Sequence, residues 1–280
     1  MLTVEFKEIG KAEEKIELVD KKFSESLKDN DILLDVILFP INPADILLVE
    51  GKYSELPKVP SKIGAECIAL VTKIGKKVKK IKEGDLVFPY TRENWVQKKI
   101  VNENDVFKLR HNVNITQASM LKVNPASAYL MLNNYLKLRR NDFIMQNAAN
   151  SGVGNYIIQL SKYYQINTIN LVRNKKLYKH LYDMGAYLVL KYDHLDEQLE
   201  NLKNKNIKLF LDAVGGERVK KVASVLCDNA SIINYGLLSN RDIEISSHDL
   251  IFRNISLKGF WVSLWLQKMK IIEKQNLYIH

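Results

Sequence analysis

The sequence predicts an α/β protein in which a β-barrel-like unit precedes a doubly wound parallel sheet. Up to about residue 112, short β-prone runs are separated by glycine and proline. After about residue 114, apolar strands alternate with amphipathic helices. The chain has 280 residues, of which 46% are hydrophobic and 26% charged, so it can bury a substantial core and has an ordinary globular composition.

Three apolar runs define the predicted barrel-like unit. Residues 32–38 are β-prone and stop before Pro40 and Pro43. Residues 66–75 and 85–89 repeat the pattern, and each is bounded by glycine or proline. Many short strands with this punctuation are typical of a compact β-barrel.

A regular alternation of elements predicts the second unit. Apolar residues at helical spacing first appear in residues 117–136, where Pro125 interrupts them. The predicted strands are 143–147, 168–172, 186–190, 207–213 and 231–235, and the predicted helices are 155–165, 175–184 and 196–203. Alternation of this kind argues for a parallel sheet with helices on both faces.

The turn at residues 147–154 follows the first strand of this sheet and leads directly into a helix. Its small residues, Asn-Ala-Ala-Asn-Ser-Gly-Val-Gly, allow a dinucleotide pyrophosphate to approach the backbone amides at a helix N-terminus. The first glycine of the full G-x-G-x-x-G pattern is missing, so the strand–turn–helix context carries the assignment. We expect a Rossmann-type dinucleotide site; the alternative is a tight turn without a ligand.

The end of the second strand indicates which dinucleotide binds. NAD enzymes usually place an acidic residue there to accept from the ribose 2′-hydroxyl. Here the strand ends Val172-Arg173-Asn174-Lys175, without an acid. Arg173 can pair with a 2′-phosphate through two hydrogen bonds, and Lys175 adds positive charge. NADPH is therefore expected over NADH, unless these cations merely begin an exposed helix.

Composition narrows the remaining classes of function. The net charge of +10 comes mostly from dispersed lysines, densest in residues 76–82, which favours a solvated surface or a docking face for an acidic partner over a nucleic-acid site. Cys67 and Cys227 stand alone, so neither a disulfide scaffold nor a zinc site is expected. The sequence has no run of about 18 consecutive apolar residues, so a membrane span is not expected. The first residues do not have the composition of a transit peptide.

Two sets of short motifs are shared with a known enzyme family. The first set is Asn42-Pro43-Ala44-Asp45, Gly51-Lys52-Tyr53, Gly64-Ala65-Glu66 and Gly84-Asp85, and the second is Val123-Asn124-Pro125, residues 146–154, Asn234-Tyr235-Gly236 and residues 258–263. The first set resembles the medium-chain dehydrogenase/reductase superfamily. With the second, the chain resembles the mitochondrial trans-2-enoyl-thioester reductases, which are the enoyl-[acyl-carrier-protein] reductases of mitochondrial fatty acid synthesis.

This resemblance implies a domain organisation. A GroES-like β-barrel catalytic domain is expected over residues 1–113 and a Rossmann NADPH-binding domain over residues 114–260. Residues 261–280 would begin a return segment to the catalytic domain, which family members continue for some tens of residues. A homodimer without zinc, located in the mitochondrion, is also implied.

The resemblance also implies a reaction, the NADPH-dependent reduction of trans-2-enoyl thioesters carried by coenzyme A or an acidic acyl carrier protein. Hydride reaches Cβ, enolate charge develops on the thioester oxygen, and a proton reaches Cα. Tyr53 is the implied proton donor, because a phenol is protonated at neutral pH. The implied cofactor contacts are Asn124, Asn150, Ser151, Gly152, Val153, Arg173, Asn174, Lys175, Tyr235, Gly236, Leu237, Leu238, Phe260, Trp261, Val262 and Ser263. Phe260 and Trp261 could equally be core aromatics.

Two other functions stay open at this point. A quinone oxidoreductase-like enzyme would share the fold and NADPH but would reduce quinones or small enones; Tyr53 and residues 259–261 favour the enoyl reductase. An inactive or regulatory protein that retains the fold is the second alternative, because the family's C-terminal residues are not found before His280.

Overall fold

The computed structural model describes residues 1–54, 56–110, 112–193 and 195–279, which form two compact units. The first unit comprises Met1–Val123 and Lys270–His280, and the second comprises Asn124–Met269. The sequence placed the two boundaries near residues 113 and 260. The first boundary lies later because residues 114–123 pack with the first unit: Ala118 is buried in a cluster with Phe88.

The first unit contains two antiparallel sheets. Its strands are β1 (Leu2–Phe6), β2 (Ile16–Asp20), β3 (Asp31–Leu38), β4 (Ser61–Lys62), β5 (Ile68–Ile74), β6 (Leu86–Pro89), β7 (Lys98–Asn102) and β8 (Val106–Lys108). Its first three helices are α1 (Ala12–Lys15), α2 (Pro43–Val49) and α3 (Ile115–Ala118), with a 3₁₀ turn at Glu103–Asp105. The sheet orders are β2-β1-β4 and β7-β3-β5-β6-β8. The three strands expected from the apolar runs are confirmed as β3, β5 and β6.

The core of this unit includes two further apolar clusters besides the one around Phe88. One lies within the five-stranded sheet and includes Ile32, Val71 and Val87. The other packs Leu48 of α2 against Trp95. The second cluster matters for the site because α2 and the residues just after it rest on it.

The second unit is one six-stranded sheet with helices around it. Its strands are β9 (Phe143–Gln146), β10 (Asn167–Val172), β11 (Leu188–Lys191), β12 (Ile207–Asp212), β13 (Leu226–Asn234) and β14 (Ser256–Gly259). Its helices are α4 (Asn124–Asn134), α5 (Gly152–Tyr164), α6 (Tyr178–Met184), α7 (Leu195–Glu200), α8 (Arg218–Ala223), α9 (Ser247–Phe252) and α10 (Val262–Lys268), with a 3₁₀ turn at Lys175–Leu177.

The strand order identifies the sheet. Neighbouring strands run parallel in the order β11-β10-β9-β12-β13-β14. Counted from β9, this is 3-2-1-4-5-6, the order of dinucleotide-binding Rossmann sheets. The order reverses between β9 and β12, so a ligand site is expected at the carboxyl ends of those strands. The predicted doubly wound parallel sheet is confirmed.

Five of the six strands of this unit and helices α5, α6 and α7 follow from the sequence, whereas α8, α9 and α10 were not predicted. The predicted strands are near-continuous apolar runs because both sheet faces are covered, as the fully buried Ile144 and Met145 illustrate. Pro125 does not interrupt a helix but lies in the first turn of α4, where its missing N–H costs nothing. The sequence did not predict β14, whose exposed edge position leaves it without a marked apolar pattern.

The chain returns to the first unit at Lys270. There α11 (Ile271–Ile279) places the Tyr278 ring 4.9 Å from that of Phe88, measured between centroids. The Tyr278 hydroxyl donates to the carbonyl oxygen of Lys122 at 2.9 Å. Across the described residues, no helix combines the length and hydrophobicity needed to cross a membrane.

Phe210 tests the packing of the parallel sheet. It lies on β12 with 1% of its surface exposed, so Phe210→Ala should lower the free energy of unfolding by about 3–5 kcal/mol through lost burial and a cavity. Tyr163→Ala removes an aromatic side chain that is 80% exposed and should change stability by less than about 0.5 kcal/mol. Denaturant unfolding measures both; equal losses would show that the β12 site is not tightly packed.

Candidate functional sites

The turn between β9 and α5 has a backbone shaped by small residues. Ala148 adopts a left-handed conformation with φ of 46°, which is uncommon outside glycine. Ser151 caps α5 by accepting from the Gly154 N–H at 3.1 Å. The 13-residue helix α5 therefore begins at the turn and presents its N-terminal amides there.

Two glycines of this turn lie in close contact with neighbouring groups, and the contact at Gly154 is with backbone. A Cβ added to Gly152 would lie 3.0 Å from Cγ of Asn124, and one added to Gly154 would lie 2.6 Å from the carbonyl oxygen of Ala149. The structure thus brings Asn124, at the start of α4, against the turn. Their shared role as cofactor contacts stays a prediction.

The fully buried carboxylate of Asp212, the last residue of β12, holds the turn in place. It accepts from the side-chain amide of Asn147 in the turn and from that of Asn234 at the end of β13, the latter at 2.8 Å. The backbone N–H groups of Val214 and Gly215 also donate to it, each at 3.0 Å. Asp212 therefore ties together the carboxyl ends of three neighbouring strands, and sequence reasoning did not single it out.

Two tyrosine hydroxyls at the carboxyl edge of the sheet lack hydrogen-bond partners among the described residues: those of Tyr192, after β11, and Tyr235, after β13. Burial raises the pKa of Tyr192 to about 12, and the Arg218 guanidinium lies 4.5 Å from its ring centroid. Burial also raises the pKa of Tyr235, which faces Ser151. Buried hydroxyls of this kind are costly unless a ligand or water satisfies them, so they fit a site that binds a polar molecule.

The residues after β10 are exposed and positively charged. Asn174 accepts from the Lys176 N–H at 2.9 Å and so begins the 3₁₀ turn. Arg173 and Lys175 have no acidic partner within the part of the chain that the structure describes. Their charges are available to an anion.

The other predicted cofactor contacts lie at three places: after β13, after β14 and in the turn between β9 and α5. Gly236, after β13, lies against the backbone that follows β12, because an added Cβ would be 2.5 Å from the carbonyl oxygen of Ala213. Leu237 and Leu238 are exposed. Phe260 is buried with its ring centroid 6.3 Å from that of Trp265, which is the setting of a core aromatic. After Phe260, the side chains of Trp261, Val262 and Ser263 are half-buried. In the turn between β9 and α5, Asn150 is exposed and Val153 is half-buried.

Tyr53 lies in the first unit, just after α2. Its half-buried ring packs against the cluster that contains Leu48 and Trp95. Its hydroxyl accepts from Nη1 of Arg92 at 3.3 Å, and the guanidinium carbon lies 4.9 Å from the ring centroid. Sequence reasoning gave no signal for Arg92.

A capping box positions α2. The Asn42 N–H donates to Oδ2 of Asp45 at 3.0 Å, and Pro43 occupies the first turn. Asp45 is fully buried, and its other carboxylate oxygen lies 3.7 Å from Nη2 of Arg92. Burial raises the pKa of Asp45, and the Asn42 N–H and the Arg92 charge oppose that shift.

Two more buried charges lie in this unit. Glu66 accepts from the Asn42 side chain and from the Val123 N–H, both at 2.9 Å. Lys122 donates to the carbonyl oxygens of Ala65 at 2.6 Å and Thr91 at 2.9 Å. Burial raises the pKa of Glu66 and lowers that of Lys122, while the charge of each opposes the shift of the other. No three histidine, cysteine or acidic residues in the described ranges are grouped to hold a metal ion.

Gly154→Ala tests the close approach within the turn. Because the added methyl group meets backbone atoms that cannot rotate away, we expect a loss of about 1–3 kcal/mol in the free energy of unfolding. Gly259→Ala is the matched control, since nothing lies within 4 Å of its added Cβ. Denaturant unfolding of both variants compares them; a neutral Gly154→Ala would contradict the constraint.

Comparison with known proteins assigns a family to each part of the chain. Residues 28–107 match the alcohol dehydrogenase GroES-like domain, and residues 152–274 match the zinc-binding dehydrogenase family. A solved complex of Etr1p with NADP and crotonyl-CoA has a TM-score of 0.91 and 26% identity, with 99% of this chain and 87% of that one covered. A putative NADPH:quinone reductase from Bacillus thuringiensis, 24% identical with a TM-score of 0.91 over 100% of this chain and 85% of its own, shows the shared fold.

Two relatives define the family more closely. The mitochondrial enoyl-[acyl-carrier-protein] reductase of Dictyostelium discoideum is 32% identical over 275 residues, which is 94% of this chain and 78% of the relative. The protein of the same name from Caenorhabditis elegans is 34% identical over 271 residues, with the same shares of both chains. The chain therefore belongs to the mitochondrial enoyl-[acyl-carrier-protein] reductase family, within the medium-chain dehydrogenase/reductase superfamily.

Proposed function

We propose that this protein is an NADPH-dependent reductase that converts trans-2-enoyl thioesters to acyl thioesters in mitochondrial fatty acid synthesis. The observation that carries the proposal is the glycine turn between β9 and α5, in a chain 32–34% identical to two mitochondrial enoyl-[acyl-carrier-protein] reductases. The mitochondrial assignment follows the names of those relatives.

The residues of the second unit fit NADPH. The amides of Gly152 and Val153 at the N-terminus of α5 would hold the pyrophosphate, where the helix dipole favours negative charge. Arg173 and Lys175, at the end of β10, would hold the 2′-phosphate. The buried hydroxyl of Tyr235, at the carboxyl ends of the strands, would gain a hydrogen-bond partner on the cofactor. We retain the other predicted contacts: Asn124, Asn150, Ser151, Asn174, Gly236, Leu237, Leu238, Phe260, Trp261, Val262 and Ser263.

Tyr53 is the proposed proton donor. The bound cofactor supplies hydride chemistry at Cβ of the enoyl thioester. The chain supplies the proton for Cα, and a phenol donor held in place lowers the barrier of that transfer. The structural setting supports this role, because Tyr53 is half-buried and its oxygen is hydrogen-bonded to Arg92.

An acidic acyl carrier protein is the proposed carrier of the substrate. The lysine cluster of residues 76–82 lies between β5 and β6, and its lysine side chains are exposed. Only part of this charge is neutralised locally, as in the pair of Lys77 with Asp29 at 2.8 Å. A surface of one sign accelerates association with a partner of the opposite sign.

A homodimer is the proposed assembly. β14 lies at one edge of the six-stranded sheet, so one side of its backbone has no neighbouring strand in the described chain. On α9, Ile251 is 67% and Phe252 75% exposed. Exposed apolar side chains and an open strand edge each favour pairing with a second copy. A similar solved assembly from Candida tropicalis is an Etr1p/Etr2p heterodimer.

The experiment that tests the reaction is a comparison of NADPH oxidation with crotonyl-CoA and with a soluble quinone. Faster turnover of the thioester supports the proposal. Rapid quinone reduction with an inert thioester would replace it with the quinone oxidoreductase function. No NADPH oxidation with either would favour a protein that retains the fold without the activity.

Tyr53→Phe should lower turnover of crotonyl-CoA by about 10²–10⁴-fold, because it removes a general acid and leaves the ring in place. The KM for NADPH should change little, since the cofactor contacts are untouched. Steady-state kinetics measures both constants, with Tyr163→Phe as the control at an exposed tyrosine. Equal losses in turnover and cofactor affinity would indicate a structural tyrosine.

Arg173→Gln should raise the KM for NADPH by about 10- to 100-fold, because a hydrogen bond to a charged group contributes about 1.5–3 kcal/mol. The KM for NADH should stay the same, since NADH has no 2′-phosphate. Arg140→Gln is the control, because this exposed arginine precedes β9 and so lies at the amino ends of the strands, away from Arg173 at their carboxyl ends. An equal rise for both dinucleotides would contradict a 2′-phosphate contact.

A further inference from the structure

Arg92 contacts Tyr53 in two ways within the first unit. Its Nη1 donates to the phenol oxygen at 3.3 Å, and its guanidinium carbon lies 4.9 Å from the ring centroid. The hydrogen bond constrains the oxygen, and the cation–π contact constrains the plane of the ring. Together they restrict how the half-buried side chain can turn.

Arg92 is itself anchored. Its Nη2 lies 3.7 Å from a carboxylate oxygen of Asp45, which is fully buried at the start of α2. Asp45 cannot move freely, because its second oxygen accepts from the Asn42 N–H in the capping box. A chain of contacts therefore links Asn42 and Asp45, at the start of α2, through Arg92 to the Tyr53 hydroxyl.

The direction of the hydrogen bond matters for proton donation. A guanidinium has only donors, so the Tyr53 oxygen must act as the acceptor. The hydroxyl proton takes no part in this bond. When a phenol gives up its proton, negative charge is left on the oxygen, and a hydrogen-bonded cation stabilises that charge.

We propose that Arg92 is a positioning residue for Tyr53: it aims the hydroxyl for proton transfer and stabilises the charge left on the oxygen, while Asp45 holds the guanidinium. This inference rests on the proposed reduction of enoyl thioesters. Arg92 acts through Tyr53 and has no contact with the substrate in this account.

Kinetics of Arg92→Met tests the functional part. Turnover of crotonyl-CoA should fall by about 10- to 100-fold, the value of a hydrogen bond to a charged group, while the KM for NADPH stays unchanged. Arg92→Lys keeps the charge without the planar fork and should recover part of the loss. Arg110→Met, at an exposed arginine of the same unit, should have no effect.

A double variant separates positioning from a general structural effect. If Arg92 acts through Tyr53, adding Arg92→Met to Tyr53→Phe should cost less than about twofold further, because the two side chains act as one unit. A second loss as large as the first would overturn the proposal.

A fluorine spectrum tests the contact without any activity. The chain has 13 tyrosines, and after 3-fluorotyrosine labelling the Tyr53 signal is the one that Tyr53→Phe removes. Arg92→Met should move this signal toward that of a solvent-exposed tyrosine, and Arg92→Lys should do so less. An unchanged signal would overturn the proposal. If the wild-type chain does not reduce crotonyl-CoA, the proposed function fails, and the spectrum still decides whether Arg92 positions Tyr53.

Discussion

The arrangement of the second unit depends on one buried carboxylate, that of Asp212. It accepts from the side chains of Asn147 and Asn234 and from two backbone amides that follow β12. A buried charge is tolerated only when hydrogen bonds replace its water, and here the donors come from the ends of neighbouring strands. The same bonds that stabilise the carboxylate therefore fix the turn against the sheet, with the N-terminus of α5 at the carboxyl edge.

The first unit uses buried charge in a similar way. Asp45, Glu66 and Lys122 are all shielded from solvent; Asp45 accepts from the Asn42 N–H at the start of its own helix, and Glu66 and Lys122 are hydrogen-bonded to groups from other parts of the unit. Such groups stabilise a structure weakly but tolerate few alternative arrangements, because losing one partner leaves an uncompensated charge. These bonds fix the start of α2 and place the Asp45 carboxylate 3.7 Å from Arg92, which contacts Tyr53.

The fold alone does not select the substrate. The Bacillus quinone reductase reaches the same TM-score of 0.91 as the Etr1p complex, although it is 24% identical to this chain. What separates the proposed functions is therefore a small number of side chains presented by a shared scaffold. In the proposed function, Tyr53 would donate the proton and Arg173 would select the dinucleotide, and each lies just after a regular element.

The sequence by itself determined the class of the fold, three strands of the first unit, the strands of the parallel sheet except β14, helices α5, α6 and α7, and the glycine turn, because apolar periodicity and small residues report burial and backbone conformation locally. It also predicted NADPH from Arg173. Only the tertiary structure decided the partners of these residues: Asn147 meets Asp212 across 65 positions, and Tyr53 meets Arg92 across 39. Local patterns cannot encode such pairs, since the path of the chain between them sets which side chains meet.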